Sequence, residues 1–200
     1  NYLLYILFYT GESNTAETCY GFLGGRKRKE QKRNMDLEQK ALAFAREKHD
    51  GQLRKDNVTP YITHPIAVVK LLRDIGISDS DIIASGYLHD VVEDCAVSIE
   101  TIDREFNSEV ARIVGVLTRT EYVSREEYKE RIRYEDYPVQ IVKLADVVHN
   151  CSDLTPDLPE KTIQRKVEDC KSLYFDLAQD ICPQYYDKLV TYVGPFMDMV

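Results

Sequence analysis

The spacing of the apolar residues is the feature that most constrains how this chain can fold. From Asp36 onward, apolar residues recur at intervals of three and four, as in Leu37, Ala41, Phe44 and Ala45, which is the period of an amphipathic helix. No segment alternates between apolar and polar residues over the length of a strand. We therefore predict an all-α protein in which residues 35–200 form a single helical domain.

Capping and turn residues predict where the helices begin and end. Ser124 and Glu127 form a capping box, so a helix is expected from Arg125 to Arg133. Thr63 is the predicted N-cap of a helix that carries Pro65 in its first turn. The other predicted helices cover residues 37–50, 82–92, 98–106, 108–117, 138–150, 160–180 and 183–199. No glycine-rich phosphate-binding loop of the P-loop or dinucleotide type interrupts them.

Residues 1–34 differ in composition from the rest of the chain. They combine a short apolar stretch at residues 2–9 with six basic and three acidic residues, and the basic ones cluster at 26–33. The apolar stretch precedes the basic run, which reverses the order found in a signal peptide. We predict a poorly ordered extension with no catalytic role. The alternative is a basic, aromatic arm that binds a membrane surface or a partner.

The charge balance and the cysteines exclude several classes of protein. Residues 35–200 hold 20 basic and 31 acidic residues, which argues against a nucleic-acid partner because such a surface needs clustered Lys and Arg. Five widely spaced cysteines without a C-x-x-C motif predict reduced thiols in a cytoplasmic protein, with neither a disulfide framework nor a zinc knuckle. No apolar run reaches the ~18 residues that are needed to cross a bilayer, so no membrane role is expected.

A cluster of ionisable residues interrupts the apolar pattern at His89, Asp90, Glu93 and Asp94. Burying three carboxylates beside an imidazole is too unfavourable unless a positive charge neutralises them, and a divalent metal ion is the simplest such charge. The alternative is an exposed acidic end of a helix.

Two further residues strengthen the metal hypothesis. His64 lies at a predicted helix start, and Asp146 is a lone carboxylate in an otherwise apolar helix. Taken singly, His64 is more often a structural histidine, and Asp146 is more often a buried cap or ion pair. Three segments that supply His, His-Asp and Asp together favour a shared site.

These segments resemble a known family. The blocks at residues 49–55, 60–65, 88–94 and 142–146, with His149 and Asn150 following, are similar to the HD superfamily of metal-dependent phosphohydrolases. More narrowly, they resemble the hydrolase domain of RelA/SpoT-type alarmone enzymes and their small single-domain relatives. The resemblance extends over about residues 36–155 with the blocks in the same order, and it implies a helical HD-type bundle.

The resemblance implies a role for each site residue. The implied metal ligands are His64, His89, Asp90 and Asp146, and mixed imidazole and carboxylate ligands suit Mn²⁺. Glu93 and Asp94 would handle the attacking water.

The same resemblance implies the residues that bind substrate. Arg54 and Lys55 would bind the nucleotide, with Arg54 stacking on a purine base. Lys143 would meet a phosphate, and Asn150 the base or the ribose. His49 is expected to support the loop that follows it, without binding the metal.

Two positions depart from the family pattern. Asp56 follows Arg54-Lys55 where alarmone enzymes usually have Ser-Gly, and Val147 stands where they often have Arg or Lys.

The predicted function is a metal-dependent phosphohydrolase that removes pyrophosphate from the 3′ position of guanosine tetra- or pentaphosphate. Synthesis of the alarmone is not expected, because only 50 residues follow Asn150 and they have a helical pattern. The alternatives are hydrolysis of another nucleotide or phosphoester, and a non-catalytic module that binds a nucleotide. The sequence leaves the oligomeric state open.

Overall fold

A computed structural model describes Arg33 and residues 36–199 of this chain. The predicted extension at residues 1–34 lies outside the described residues, apart from Arg33. Within the described part the secondary structure is helical, and the one extended pairing there is an isolated bridge between Leu53 and Pro60. The all-α prediction is therefore confirmed for this part of the chain.

The first helices lead to the predicted metal ligands. They are α1 (residues 36–48), α2 (Thr63–Asp74), α3 (Ser80–Leu88), α4 (Val91–Asp94), α5 (Ile99–Glu105) and α6 (Ser108–Leu117). Ile62, not Thr63, is the N-cap residue of α2, and the Thr63 hydroxyl donates to the Pro60 carbonyl at 2.8 Å. The α6 bounds agree with the prediction.

The later helices form the second half of the bundle. They are α7 (Arg125–Arg133), α8 (Tyr137–Ser152), α9 (Glu160–Asp169), α10 (Phe175–Ile181) and α11 (Pro183–Val193). The predicted capping box of α7 is confirmed, since Ser124 and Glu127 each bond the other's backbone N–H. The predicted helix at 160–180 contains a π-helical turn, Cys170–Tyr174, between α9 and α10. The predicted helix at 183–199 changes to a 3₁₀ turn at Gly194–Met199, because Pro195 has no N–H to continue an α-helix.

The predicted helix at 82–92 is wrong in one respect, because it breaks at His89 and Asp90. Asp90 has φ −100° and ψ −9°, and the chain then resumes as the single turn α4. The His89 side chain donates from Nδ1 to the Gly86 carbonyl at 2.9 Å, and this is the acceptor that the Asp90 N–H uses in an unbroken helix. The sequence predicted that His89 and Glu93 stack along one continuous helix, and the break shows that they do not.

Helix α8 lies at the centre of the bundle and carries Asp146. It packs against α2, α3, α6, α7, α10 and α11. Ten of its 16 residues are buried, and Asp146 is among them. A second apolar cluster joins α1, α3, α5 and α6 and includes Leu88 and Val91, which flank the break. Buried neighbours on both sides hold the break in place.

None of the described helices is both long enough and apolar enough to span a membrane.

Candidate metal centre and basic cavity

The four predicted metal ligands converge from three separate elements. His64 comes from the first turn of α2, His89 and Asp90 from the break between α3 and α4, and Asp146 from α8. His64 Nε2 lies 3.1 Å from Asp146 Oδ1 and 3.2 Å from His89 Nε2. Asp90 Oδ2 lies 3.1 Å from His89 Nε2 and 3.5 Å from His64 Nε2. Three of these residues, His64, His89 and Asp146, bring their donor atoms close to one another, and the Asp90 carboxylate lies beside the two imidazoles.

These donors fit a divalent cation. One ligand atom each from His64, His89 and Asp146 lies within 4.8 Å of the others, and these residues are only 1%, 5% and 6% exposed. Asp90 supplies a second carboxylate beside this group. Buried carboxylates and imidazoles in mutual contact are stable when a cation is shared among them.

Hydrogen bonds on the outer side of the donors fix their orientation. The Gly86 carbonyl can only accept, so His89 Nδ1 carries a proton and Nε2 is the nitrogen that faces the other donors. The Tyr61 hydroxyl donates to Asp90 Oδ2 at 2.6 Å. Such outer contacts set the tautomer and rotamer of metal ligands.

His149 supports His64 in the same way, although its role was not predicted from the sequence. The two Nδ1 atoms lie 2.8 Å apart, so one must donate and the other accept. Burial and the neighbouring His64 lower the pKa of His149 to about 4, which keeps its imidazole neutral and able to accept. His64 can then donate from Nδ1 and keep a lone pair on Nε2.

The electrostatic potential at the centre favours a cation. Burial alone lowers the pKa of His89, but the Asp90 and Asp146 carboxylates reverse this effect and raise that pKa well above its ordinary range. Burial raises the pKa of Asp146, but Lys143, His64 and His89 outweigh it and hold that pKa well below its usual range. The carboxylates therefore stay ionised and attract positive charge.

Lys143 and Asn150 both contact Asp146. Lys143 Nζ donates to Asp146 Oδ2 at 2.8 Å, and Asn150 Nδ2 donates to Oδ1 at 2.5 Å. Burial lowers the pKa of Lys143, but the Asp146 carboxylate outweighs it and raises the pKa well above its ordinary value. Both residues also line the cavity described below, so their predicted roles toward a substrate stay predictions.

Glu93 and Asp94 have different surroundings. Glu93 lines the cavity, and its Oε2 accepts a hydrogen bond from the Arg119 backbone N–H at 2.9 Å. Asp94 interacts instead with Tyr61, His49 and Asp90, and burial together with the Asp90 charge raises its pKa. Of the two predicted water-handling residues, Glu93 is the one that faces the cavity.

A cavity of about 230 Å³ opens beside the metal donors. Its lining carries four basic residues, which are Arg119, Arg125, Lys129 and Lys143. An adjoining cavity of about 190 Å³ adds Lys55, Arg165 and Lys166. Four carboxylates, those of Asp90, Glu93, Asp146 and Asp169, line the first cavity as well, so its charges balance. The excess of positive charge lies in the second cavity, where five basic residues face two carboxylates.

Sequence reasoning missed most of these basic residues. Arg125 and Lys129 are four apart on α7, and both form ion pairs with Asp169, at 2.6 Å and 3.5 Å. Their spacing on one helix face was the available signal. Arg165 and Lys166 come from α9, whose position beside α8 depends on tertiary packing.

The structure separates Arg54 from Lys55. Lys55 lines the second cavity, whereas the Arg54 guanidinium forms an ion pair with Asp153 Oδ2 at 2.6 Å and lies over the Tyr61 ring at 5.9 Å. The departure at Asp56 has a local reason, since its carboxylate accepts hydrogen bonds from the N–H groups of residues 58 and 59, both at 2.9 Å. Asp56 therefore closes the turn of this loop.

His49 lies outside the metal donors, as predicted. It is buried, stacks on the Tyr61 ring at 4.7 Å and approaches Gln52 Oε1 at 2.5 Å. It thus connects the loop after α1 to the tyrosine that holds Asp90.

Comparisons with known proteins match most of this chain. A family model described as HD domain matches residues 41–180. A protein of Synechocystis sp., named probable guanosine-3′,5′-bis(diphosphate) 3′-pyrophosphohydrolase, is 42% identical over 150 residues, which are 70% of this chain and 19% of that protein. A Xenopus tropicalis protein named guanosine-3′,5′-bis(diphosphate) 3′-pyrophosphohydrolase MESH1 is 36% identical over 148 residues, which are 70% of this chain and 80% of the relative.

A solved structure shares the fold. It is described as a metazoan ortholog of SpoT that hydrolyzes ppGpp, and it superposes with a TM-score of 0.71 at 24% identity, covering 80% of this chain and 96% of its own. The chain thus spans about a fifth of the Synechocystis protein and four-fifths of the Xenopus one.

Proposed function

This chain belongs to the HD domain family, and on that premise we propose that it is a metal-dependent hydrolase of guanosine 3′,5′-bis(diphosphate), releasing pyrophosphate from the 3′ position. The observation that carries the proposal is the convergence of His64, His89, Asp90 and Asp146 beside a cavity lined with basic side chains. The names of relatives that this chain resembles over most of its length support the choice of substrate.

The four donors would hold one divalent cation, and Mn²⁺ remains the predicted ion because it accepts both imidazole and carboxylate ligands. A bound divalent cation lowers the pKa of water and withdraws charge from a phosphoryl oxygen. His89 and His64 would each offer Nε2, since their Nδ1 atoms are engaged by Gly86 and His149.

Glu93 is the best-placed residue to take a proton from the attacking water. Its carboxylate faces the cavity, and the Arg119 N–H holds Oε2 and leaves Oε1 available. A carboxylate in this position acts as a general base on water. Asp94 would support the same step from the side of Tyr61, as the resemblance implies.

The two adjoining cavities match a nucleotide that carries two diphosphates. Arg119, Arg125 and Lys129 would bind the diphosphate next to the metal donors, and Lys55 and Lys166 the other one. Arginine and lysine bind phosphate through charge-assisted hydrogen bonds. This division of positive charge favours a bis-diphosphate over a simple phosphoester.

Two alternatives from the sequence remain as outcomes of the test. If the substrate is another nucleotide or phosphoester, it would bind at the same metal donors and make fewer contacts with the second cavity. A non-catalytic nucleotide-binding module would have no use for Glu93 in the cavity beside a complete donor set. The cytoplasmic location stays a prediction from the cysteine pattern.

The test is a product assay on purified protein that has been stripped of metal and reloaded with Mn²⁺. We expect GDP and pyrophosphate in equal amounts from guanosine 3′,5′-bis(diphosphate), and no turnover without metal or in His89→Ala. GTP and an aryl phosphate serve as comparison substrates. Release of orthophosphate, or no turnover by a protein that binds both Mn²⁺ and the nucleotide, would refute the assignment.

A further inference from the structure

Two buried cysteines lie in contact beside the second cavity. Cys151 is in the last turn of α8, and Cys170 is the first residue of the π-helical turn. Their Sγ atoms are 3.9 Å apart, and the residues are 2% and 1% exposed. Among the described cysteines, Cys95 and Cys182 have oxygen or nitrogen neighbours instead, so this pair is distinct.

A small reagent can reach both sulfurs despite their burial. Cys151 and Cys170 both line the second cavity, of about 190 Å³, together with Lys166. A molecule of the size of hydrogen peroxide needs only the space of one or two waters.

The Lys166 ammonium lies close to Cys151, because it donates to the carbonyl of the preceding residue, Asn150, and lines the same cavity. A nearby cation favours the thiolate, which is the form that attacks a peroxide. Cys151 is thus placed to react first, and Cys170, in contact with it, second.

We propose that Cys151 and Cys170 form a reversible disulfide when a peroxide enters the second cavity, and that this bond lowers the hydrolase activity. The Cys151 thiolate attacks one peroxide oxygen, the O–O bond breaks, and Cys151 becomes a sulfenic acid as hydroxide leaves. The Cys170 sulfur then attacks the Cys151 sulfur, the S–O bond breaks, and water leaves. Two thiols are oxidised, and one peroxide is reduced to two waters.

The effect on activity follows from the neighbours of the pair and rests on the proposed function. A disulfide requires the sulfurs to approach to ~2.05 Å, so the end of α8 and the π-helical turn must adjust by up to ~2 Å. Asn150 precedes Cys151 and donates to Asp146 Oδ1, while Lys166 donates to the Asn150 carbonyl. The adjustment therefore acts on a residue that holds a metal donor, and shifts of this size reduce turnover by ~10- to 100-fold.

The experiment treats the full chain with hydrogen peroxide, blocks remaining thiols by alkylation and searches the digest for a peptide that joins Cys151 to Cys170. Activity is measured before treatment, after treatment, and after reduction with dithiothreitol. We expect the linked peptide, a fall in activity of at least tenfold, and recovery on reduction. Cys182→Ala should respond as wild type does, because the Cys182 thiol donates to Gln184 Oε1 and does not line the second cavity.

The single variants Cys151→Ala and Cys170→Ala should each keep their own untreated activity after peroxide. If one of them fails to fold, the other carries the test. Absence of the linked peptide from treated, folded protein overturns the proposal, and a linked peptide without a fall in activity overturns its regulatory part. If the disulfide forms but the untreated protein does not hydrolyse the nucleotide, the result contradicts the proposed function and not the disulfide. Nucleotide affinity measured before and after oxidation then decides whether the disulfide alters binding in the cavity.

Discussion

Replacing Tyr61 by Phe removes a single oxygen atom that contacts one of the metal donors, Asp90. The lost hydroxyl is the one that donates to Asp90 Oδ2 at 2.6 Å. The ring itself remains, with its stacking on His49 at 4.7 Å and the Arg54 guanidinium 5.9 Å above it. The substitution therefore acts on the Asp90 carboxylate and on Asp94, which the same hydroxyl contacts, and leaves the ring packing nearly intact.

The size of the effect follows from the chemistry of that hydrogen bond. A hydrogen bond to a charged acceptor contributes ~1.5–3 kcal/mol. If most of this energy serves to orient Asp90 toward the cation, Mn²⁺ affinity should fall ~10- to 100-fold, which is the usual scale for residues that support metal ligands. Turnover at saturating Mn²⁺ should recover most of its wild-type value, because the ligands themselves are unchanged.

The assay is a competition between the protein and a chelator for Mn²⁺, combined with activity measured over a range of Mn²⁺ concentrations. Tyr128→Phe is the matched control, because Tyr128 also lines the cavity but its hydroxyl donates to the Leu117 carbonyl at 2.7 Å and not to a metal donor. Equal Mn²⁺ affinity in Tyr61→Phe and wild type would refute the reasoning, as would an equal loss in both tyrosine variants.

Substitutions at four further residues test other parts of the site. Glu93→Gln should keep Mn²⁺ and nucleotide binding but lower kcat by ~10²-fold or more, whereas Asp94→Asn should lower it less; the reverse order would exclude Glu93 as the base. If Arg54 stacks on a base, Arg54→Ala and Arg54→Lys should both raise KM for the guanosine substrate about 2- to 30-fold and leave KM for an aryl phosphate unchanged. An equal rise in KM for both substrates would mean that Arg54 does not bind the base and serves only in its ion pair with Asp153. Lys143→Met leaves the buried Asp146 without its lysine partner and should lower the free energy of unfolding of metal-free protein, measured in urea, by ~3–5 kcal/mol. Added Mn²⁺ should restore much of this stability, and a loss that Mn²⁺ does not reduce would contradict this account.

Local sequence signals were sufficient for most helix boundaries. The Ser124–Glu127 capping box predicted the start of α7, because both hydrogen bonds of a capping box involve residues that are close in sequence. The break at His89 and Asp90 could not be predicted in this way. It depends on a side-chain bond to Gly86 and on buried contacts of Leu88 and Val91 with other helices.

The candidate site likewise contains residues that local sequence signals identify and residues that only tertiary packing brings together. Its donor residues were identifiable because histidines and carboxylates are unusual in apolar segments, as Asp146 illustrates. His149 gave no such signal, since its relation to His64 exists only after α2 and α8 have packed together. The same holds for Arg165 and Cys170, which reach the second cavity through the path of α9 and the π-helical turn.

The excess of positive charge in the second cavity has a consequence for how an anion reaches this protein. The whole chain has a net charge of −8, so at long range the molecule repels a nucleotide. At physiological ionic strength, charges separated by more than ~8 Å are largely screened, and the attraction of Lys55, Arg165 and Lys166 is felt only close to the cavity mouth. Added salt therefore weakens a distant repulsion and a near attraction together, and the ionic-strength dependence of nucleotide association is shallower than that of a protein whose whole surface is basic.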